Sequence, residues 1–155
     1  MISKESIITS AMLILVTYTL GLSLVSQAFP AGQTTRTLSS TGAIQIQATA
    51  GIGVYSDQQG TTPLTSVPWG TLQPGGTKIL TVYIKNEGST STTLSLETSN
   101  WNPTAAENYL GLGWNYNGDP INPDAVVQIT FTLTVASNIE VITTFGFDIT
   151  IVGSS

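Results

Sequence analysis

The stretch VVQITFTLTV, residues 126–135, alternates without a slip. Val127, Ile129, Phe131, Leu133 and Val135 share one parity, and Gln128, Thr130, Thr132 and Thr134 share the other. Successive side chains of a strand point to opposite faces, so this pattern buries one face and gives the other to water. The same period returns from Ala43 onward. AIQIQATA (43–50) groups Ile44, Ile46 and Ala48, and TKILTVYIKN (77–86) sets Leu80, Val82 and Ile84 against Thr81, Tyr83 and Lys85. TTLSLETSNW (92–101) places Leu94 and Leu96 opposite Ser95 and Glu97, and YLGLGWNY (109–116) stacks Leu110, Leu112, Trp114 and Tyr116 with Gly111 and Gly113 behind. TFGFDITIV (144–152) lines up Phe145, Phe147, Ile149 and Ile151, and GIGVYSD (51–57) is a short apolar run. Turn signals separate these runs: Pro74-Gly75-Gly76, Asn86-Glu87-Gly88, Asn117-Gly118 with the dipeptide favoured in type I′ turns, then Pro120 and Pro123. PTAAENY (103–109) has room for one helical turn in a connection. About seven short strands between turn signals predict an all-β domain over residues 43–155, a two-sheet antiparallel β-sandwich.

The exposed parity of residues 126–135 carries no charge, and that economy holds throughout. Charged residues make up 8% of the 155, where about 25% is usual. Nine acids against four bases give a net charge of −5 without a basic cluster. Nucleic acid is therefore not an expected partner, since affinity for phosphates comes from Lys and Arg, and the same deficit argues against electrostatic binding to an anionic membrane surface. The chain has no His and no Cys. Disulfides, thiolate and imidazole metal sites, and nucleophile–histidine pairs are thereby removed. No cofactor and no catalytic residue is expected.

The acids of residues 43–155 are Asp57, Glu87, Glu97, Glu107, Asp119, Asp124, Glu140 and Asp148. Asp119 and Asp124 share a loop with Asn117 and Asn122 and offer oxygens to calcium, but they lack the spacing of a known calcium loop. Solvated loop acids are the default expectation. Trp69, Trp101 and Trp114 either fill the core or present indole faces to sugars. Trp114 reads most clearly as core because Leu110 and Leu112 share its parity, which leaves Trp69 and Trp101 as the candidate glycan contacts. Asn102-Pro103-Thr104 is no glycosylation acceptor, because proline in the middle excludes it.

SIITSAMLILVTYTLGLSLVSQAF (6–29) has no charge. A helix rises about 1.5 Å per residue, so this run is long enough for a hydrocarbon core of about 30 Å. Lys4 favours a cytoplasmic N-terminus, with Glu5 beside it opposing, and places the body outside. Ser26-Gln27-Ala28 also fits a small-x-small cleavage site, with the cut after Ala28. The run exceeds what a cleaved leader needs. A retained single-pass transmembrane anchor over residues 1–29 is the leading expectation, and secretion after cleavage is the alternative. PAGQTTRTLSSTG (30–42), with Leu38 as its one large apolar residue, reads as a flexible Ser/Thr-rich linker.

Residues 67–103, VPWGTLQPGGTKILTVYIKNEGSTSTTLSLETSNWNP, resemble the immunoglobulin-like modules of extracytoplasmic archaeal and bacterial proteins. A G-x-L-x-P-G turn there leads into a strand ending in N-x-G and then into a strand of alternating leucine. Here these are Gly70, Leu72, Pro74 and Gly75, then Asn86 and Gly88, then Leu94 and Leu96. Over most of its length the chain is similar to uncharacterised archaeal single-pass membrane or secreted proteins carrying such a module. The resemblance implies an immunoglobulin-like β-sandwich, without the Cys…Trp…Cys pattern of antibody domains. The function expected is a non-enzymatic, extracytoplasmic cell-surface one, structural or adhesive: an envelope component, or a subunit or accessory of a surface filament. The alternative is a carbohydrate-binding module using Trp69 and Trp101. Expected partners are the membrane, through the N-terminal helix, and then copies of itself, other surface proteins or glycans. Segment 43–50 can pair within its own body or with a neighbour's open sheet edge, and pairing in its own chain is the simpler expectation.

Overall fold

A computed structural model describes residues 36–40 and 44–155. The fold is all-β, with two sheets. Ten strands follow in chain order: β1 (Leu38–Ser40), β2 (Ile44–Ala48), β3 (Ile52–Tyr55), β4 (Ser66–Val67), β5 (Thr71–Leu72), β6 (Thr77–Asn86), β7 (Thr93–Asn102), β8 (Leu110–Trp114), β9 (Val126–Val135) and β10 (Thr144–Ser154). The one helical element among the described residues is a 3-10 turn at Thr104–Asn108, in the connection where a helical turn is expected. Residues 6–29 and the Ala28 site lie outside the described residues, as do residues 30–35 and 41–42 of the linker and residue 43 of the body. Among the described residues, no helix is long and apolar enough to cross a membrane.

One sheet runs β3-β6-β9-β8, antiparallel throughout. The other is built around β10. Its one edge pairs antiparallel with β7, and its other edge carries β1 and β2, both parallel to it. Beyond these, β5 pairs with β1 and β4 with β2. The parity read from the sequence is the buried one: Val82 and Ile84 of β6, Ile129, Phe131 and Leu133 of β9, and Phe145, Phe147, Ile149 and Ile151 of β10 form part of a single core. Phe131 stacks on Trp114 with centroids 6.2 Å apart, tying β8 to the same core.

The antiparallel pairing expected from the sequence does not hold throughout, since β1 and β2 run parallel to β10 and a period of two is the same for either direction. Three further departures from the sequence reading have local causes. Residues 38–40, inside the expected linker, form a strand, because Leu38 is buried and β10 supplies the ladder. β4 and β5 are two-residue strands, too short to show a period. Asn117-Gly118 makes no type I′ hairpin turn: Gly118 takes φ 90°, but Asn117 is not among the positive-φ residues. Its Oδ1 instead accepts the Asp119 N–H at 3.1 Å, closing a turn through its own side chain. The Pro74-Gly75 turn does form, with Gly75 at φ 73° and the Gly76 N–H donating to Gln73 O at 2.8 Å. A type II turn needs that positive φ at its third position.

Two polar side chains fasten the loops at one end. Asn86 is buried, and its Nδ2 donates to Thr90 O at 2.7 Å and Ile121 O at 2.8 Å while its Oδ1 accepts the Gly88 N–H at 2.9 Å. Its backbone adds bonds to Ala125 O and from the Asp124 N–H. The Tyr116 hydroxyl donates to Asp119 O and accepts the Leu94 N–H at 3.3 Å. Tyr116→Phe leaves the ring in place and removes both bonds. It is expected to cost about 1 kcal/mol in urea unfolding.

Candidate functional site

The site with chemistry of its own is the outer face of the β3-β6-β9-β8 sheet. Register sets the rows: Thr81 stands opposite Thr130, Ile79 opposite Thr132, and Thr77 opposite Thr134. β8 continues the last two rows with Gly113 beside Thr132 and Gly111 beside Thr134. The Thr134 hydroxyl donates to Gly111 O at 3.2 Å. Ile79 lies in the middle of this face, 65% exposed. Lys85 is the one charge of the face's outward parity, and it lies at the end where the Tyr55 hydroxyl donates to Glu87. That hydrogen bond to Glu87, with some burial, raises the Tyr55 hydroxyl above its ordinary range.

Gly113 has no packing reason among the described residues. A Cβ there would meet nothing within 4 Å, whereas at Gly153 it would come to 2.7 Å from the Ile52 side chain. Glycine inside a strand weakens it by roughly 0.5–1 kcal/mol relative to alanine, and often marks where another backbone approaches closely. β8 pairs with β9 and ends its sheet, so the approach is open.

The tryptophans are placed differently from one another. Trp69, a candidate glycan contact by sequence, is 1% exposed and has no ring face to offer a sugar. Trp114, by sequence the surest core residue, is half-buried and packs against the core, as does Trp101. Trp101 stacks on Phe147 at 4.2 Å. By parity it belongs with Ser95 and Glu97, but the register shifts between Gly146 and Asp148, where Asn100 takes φ 53°. The extra residue of this bulge turns the indole inward. The signal for it is the Asn before Trp101, a residue type tolerant of positive φ. Neither Trp69 Nε1 nor Trp101 Nε1 has a hydrogen-bond partner.

Asp119 and Asp124 are both exposed. Asp119 accepts Asn117 Nδ2 at 2.6 Å, and Asp124 sits at φ 61° with its N–H donating to Asn86 O. A shallow cleft of about 280 Å3 runs beside Asp119, lined by Asn115, Asn117 and Gln128. Among the described residues, no three acidic side chains stand close enough to hold a metal ion. Asp57 organises its own turn. Partial burial raises its carboxyl, but donations from Thr62 and Thr61 outweigh that and bring it down to about 2. No protein-family model matches the chain, and comparison with curated proteins finds no match.

Proposed function

We propose that this chain is a non-enzymatic, extracytoplasmic cell-surface protein with a structural or adhesive role. It displays one immunoglobulin-like sandwich beyond the membrane, as an envelope component or as a subunit or accessory of a surface filament. The observation that carries this reading is the outer face around Ile79, Thr132 and Gly113. Charged side chains normally keep sheets from associating, and this face carries charge only at one end, where Lys85 and Glu87 lie. Its centre offers an exposed isoleucine, a threonine row and a bare strand at the open edge. Together these suit close packing against another surface. The uncharged run at residues 6–29 supports a position at the membrane, with the body outside.

Gly113→Val separates folding from association. Valine suits a strand and its Cβ meets nothing within 4 Å, so unfolding is expected to stay unchanged or gain up to about 1 kcal/mol. Chemical cross-linking of the full chain to its neighbours in the intact envelope is expected to fall sharply. In intact cells, a membrane-impermeant amine reagent should label Lys78 and Lys85. Cytosolic protection of both lysines overturns the surface reading, and undiminished cross-linking of Gly113→Val overturns the adhesive face.

A further inference from the structure

The N-terminal arm, Leu38–Ser40 and Ile44–Ala48, is an inserted strand rather than an edge. On one side it pairs with β10: Ser39 with Thr144, Ser40 with Phe145, Ile46 with Ile149, Gln47 with Thr150 and Ala48 with Ile151. On the other side Leu38 pairs with Leu72 and Ile44 with Val67. Both walls of this slot, residues 66–72 and 144–151, come later in the chain. β4 and β5 have no other strand partner among the described residues, so they join the sheet only through the arm. Leu38, Ile44 and Ile46, at 1%, 2% and 5% exposure, fill the slot from within.

The tie between arm and body is short. β2 ends at Ala48 and β3 begins at Ile52 in the other sheet. A tight turn joins them, with the Ile52 N–H donating to Thr49 O at 3.1 Å and Gly51 at φ 86°. The arm carries no charge from Thr37 to Ala48, so a second copy's slot repels it no more than its own does.

We propose that this arm is exchanged between copies, the Leu38–Ser40 and Ile44–Ala48 strands of one chain seating in the slot of another. The ladder with β10, the pairs with β4 and β5 and the three buried side chains are the same in both arrangements. Only the Thr49–Gly51 turn differs, opening from a tight turn into an extended link. A segment exchanged between identical chains conserves its contacts, so local concentration decides which arrangement prevails. Copies crowded on one surface favour exchange. A reciprocal exchange gives a dimer, and a one-way exchange leaves a free arm at one end and an empty slot at the other, which extends into a filament. This deepens the proposed structural role by naming a second copy as partner, and it rests on that reading for the crowding alone.

The absence of cysteine makes the test direct. Gln47 and Thr150 are register partners on the outward parity of their strands. Full-length chains carrying Gln47→Cys or Thr150→Cys are co-expressed in one membrane and oxidised. The mixture is expected to give a disulfide-linked species at twice the monomer mass, well above the yield from Gln47→Cys with Thr130→Cys on the other sheet. A chain carrying both Gln47→Cys and Thr150→Cys is expected to give a ladder of linked multimers. If that double variant closes only within single chains and the mixture stays monomeric, exchange is overturned. If neither links, the arm does not lie beside β10 and the proposal fails as well. Either failure leaves lysine labelling in intact cells and the Gly113 face untouched.

Discussion

Ile46→Asp is expected to abolish cooperative unfolding at 25 °C, and the wild-type chain is expected to give a single sigmoidal urea transition. Ile46 is 5% exposed, between β10 and the core, with Ile149 as its register partner. The substitution removes a branched apolar side chain, worth about 2–5 kcal/mol when truncated, and adds an unpaired carboxylate that costs several kcal/mol more or takes up a proton. The sum is on the order of the whole stability of a domain this size, roughly 5–15 kcal/mol. Gln47→Asp places the same charge one residue on, at an exposed position, and is expected to stay within about 0.5 kcal/mol of wild type. Equal behaviour of the two variants would mean the arm is not seated in the slot.

Asn86→Leu carries the second large effect. The side chain keeps its size and approximate shape, so little packing is lost. Ile121 O, Thr90 O and the Gly88 N–H each lose the partner that Asn86 provides. An orphaned buried polar group costs about 1–3 kcal/mol, and water reaches part of this set, so a loss of roughly 3 kcal/mol is expected. Denaturant unfolding gives the number, and hydrogen exchange gives the location. Exchange should quicken first at Thr92 and Ile121, whose mutual bridge this side chain holds in place. A loss below that of Tyr116→Phe would show that Asn86 is not the anchor of these loops.

Long strands were legible in the sequence because their period is long enough to count. β6 and β9 have the boundaries that alternation alone draws, at 77–86 and 126–135. What the period cannot show is pairing. Nothing in AIQIQATA says that it runs parallel to the last strand, since parallel and antiparallel neighbours bury the same side chains. β1 was hidden because a single leucine in a polar stretch has no period. Trp101 was obscured for the opposite reason: the period is clear up to Glu97, and one added residue at Asn100 reverses it. The outer face was half visible. The threonines of β9 stood out, but Ile79 and Gly113 join them only through register with Thr132.

The order in which the slot is built has a consequence for synthesis. A ribosome makes the arm before either wall of its slot, and the seat is complete only when the Thr144–Ser154 segment emerges. The first strand of the described residues is thus the last to be housed, a long-range closure of the kind that slows folding. Until the C-terminal strand arrives, Ile46 lacks its register partner Ile149 and the slot has only one wall. A messenger truncated before Thr144 therefore yields a product whose arm stays homeless, and proteolytic quality control has a handle at the opposite end from the damage.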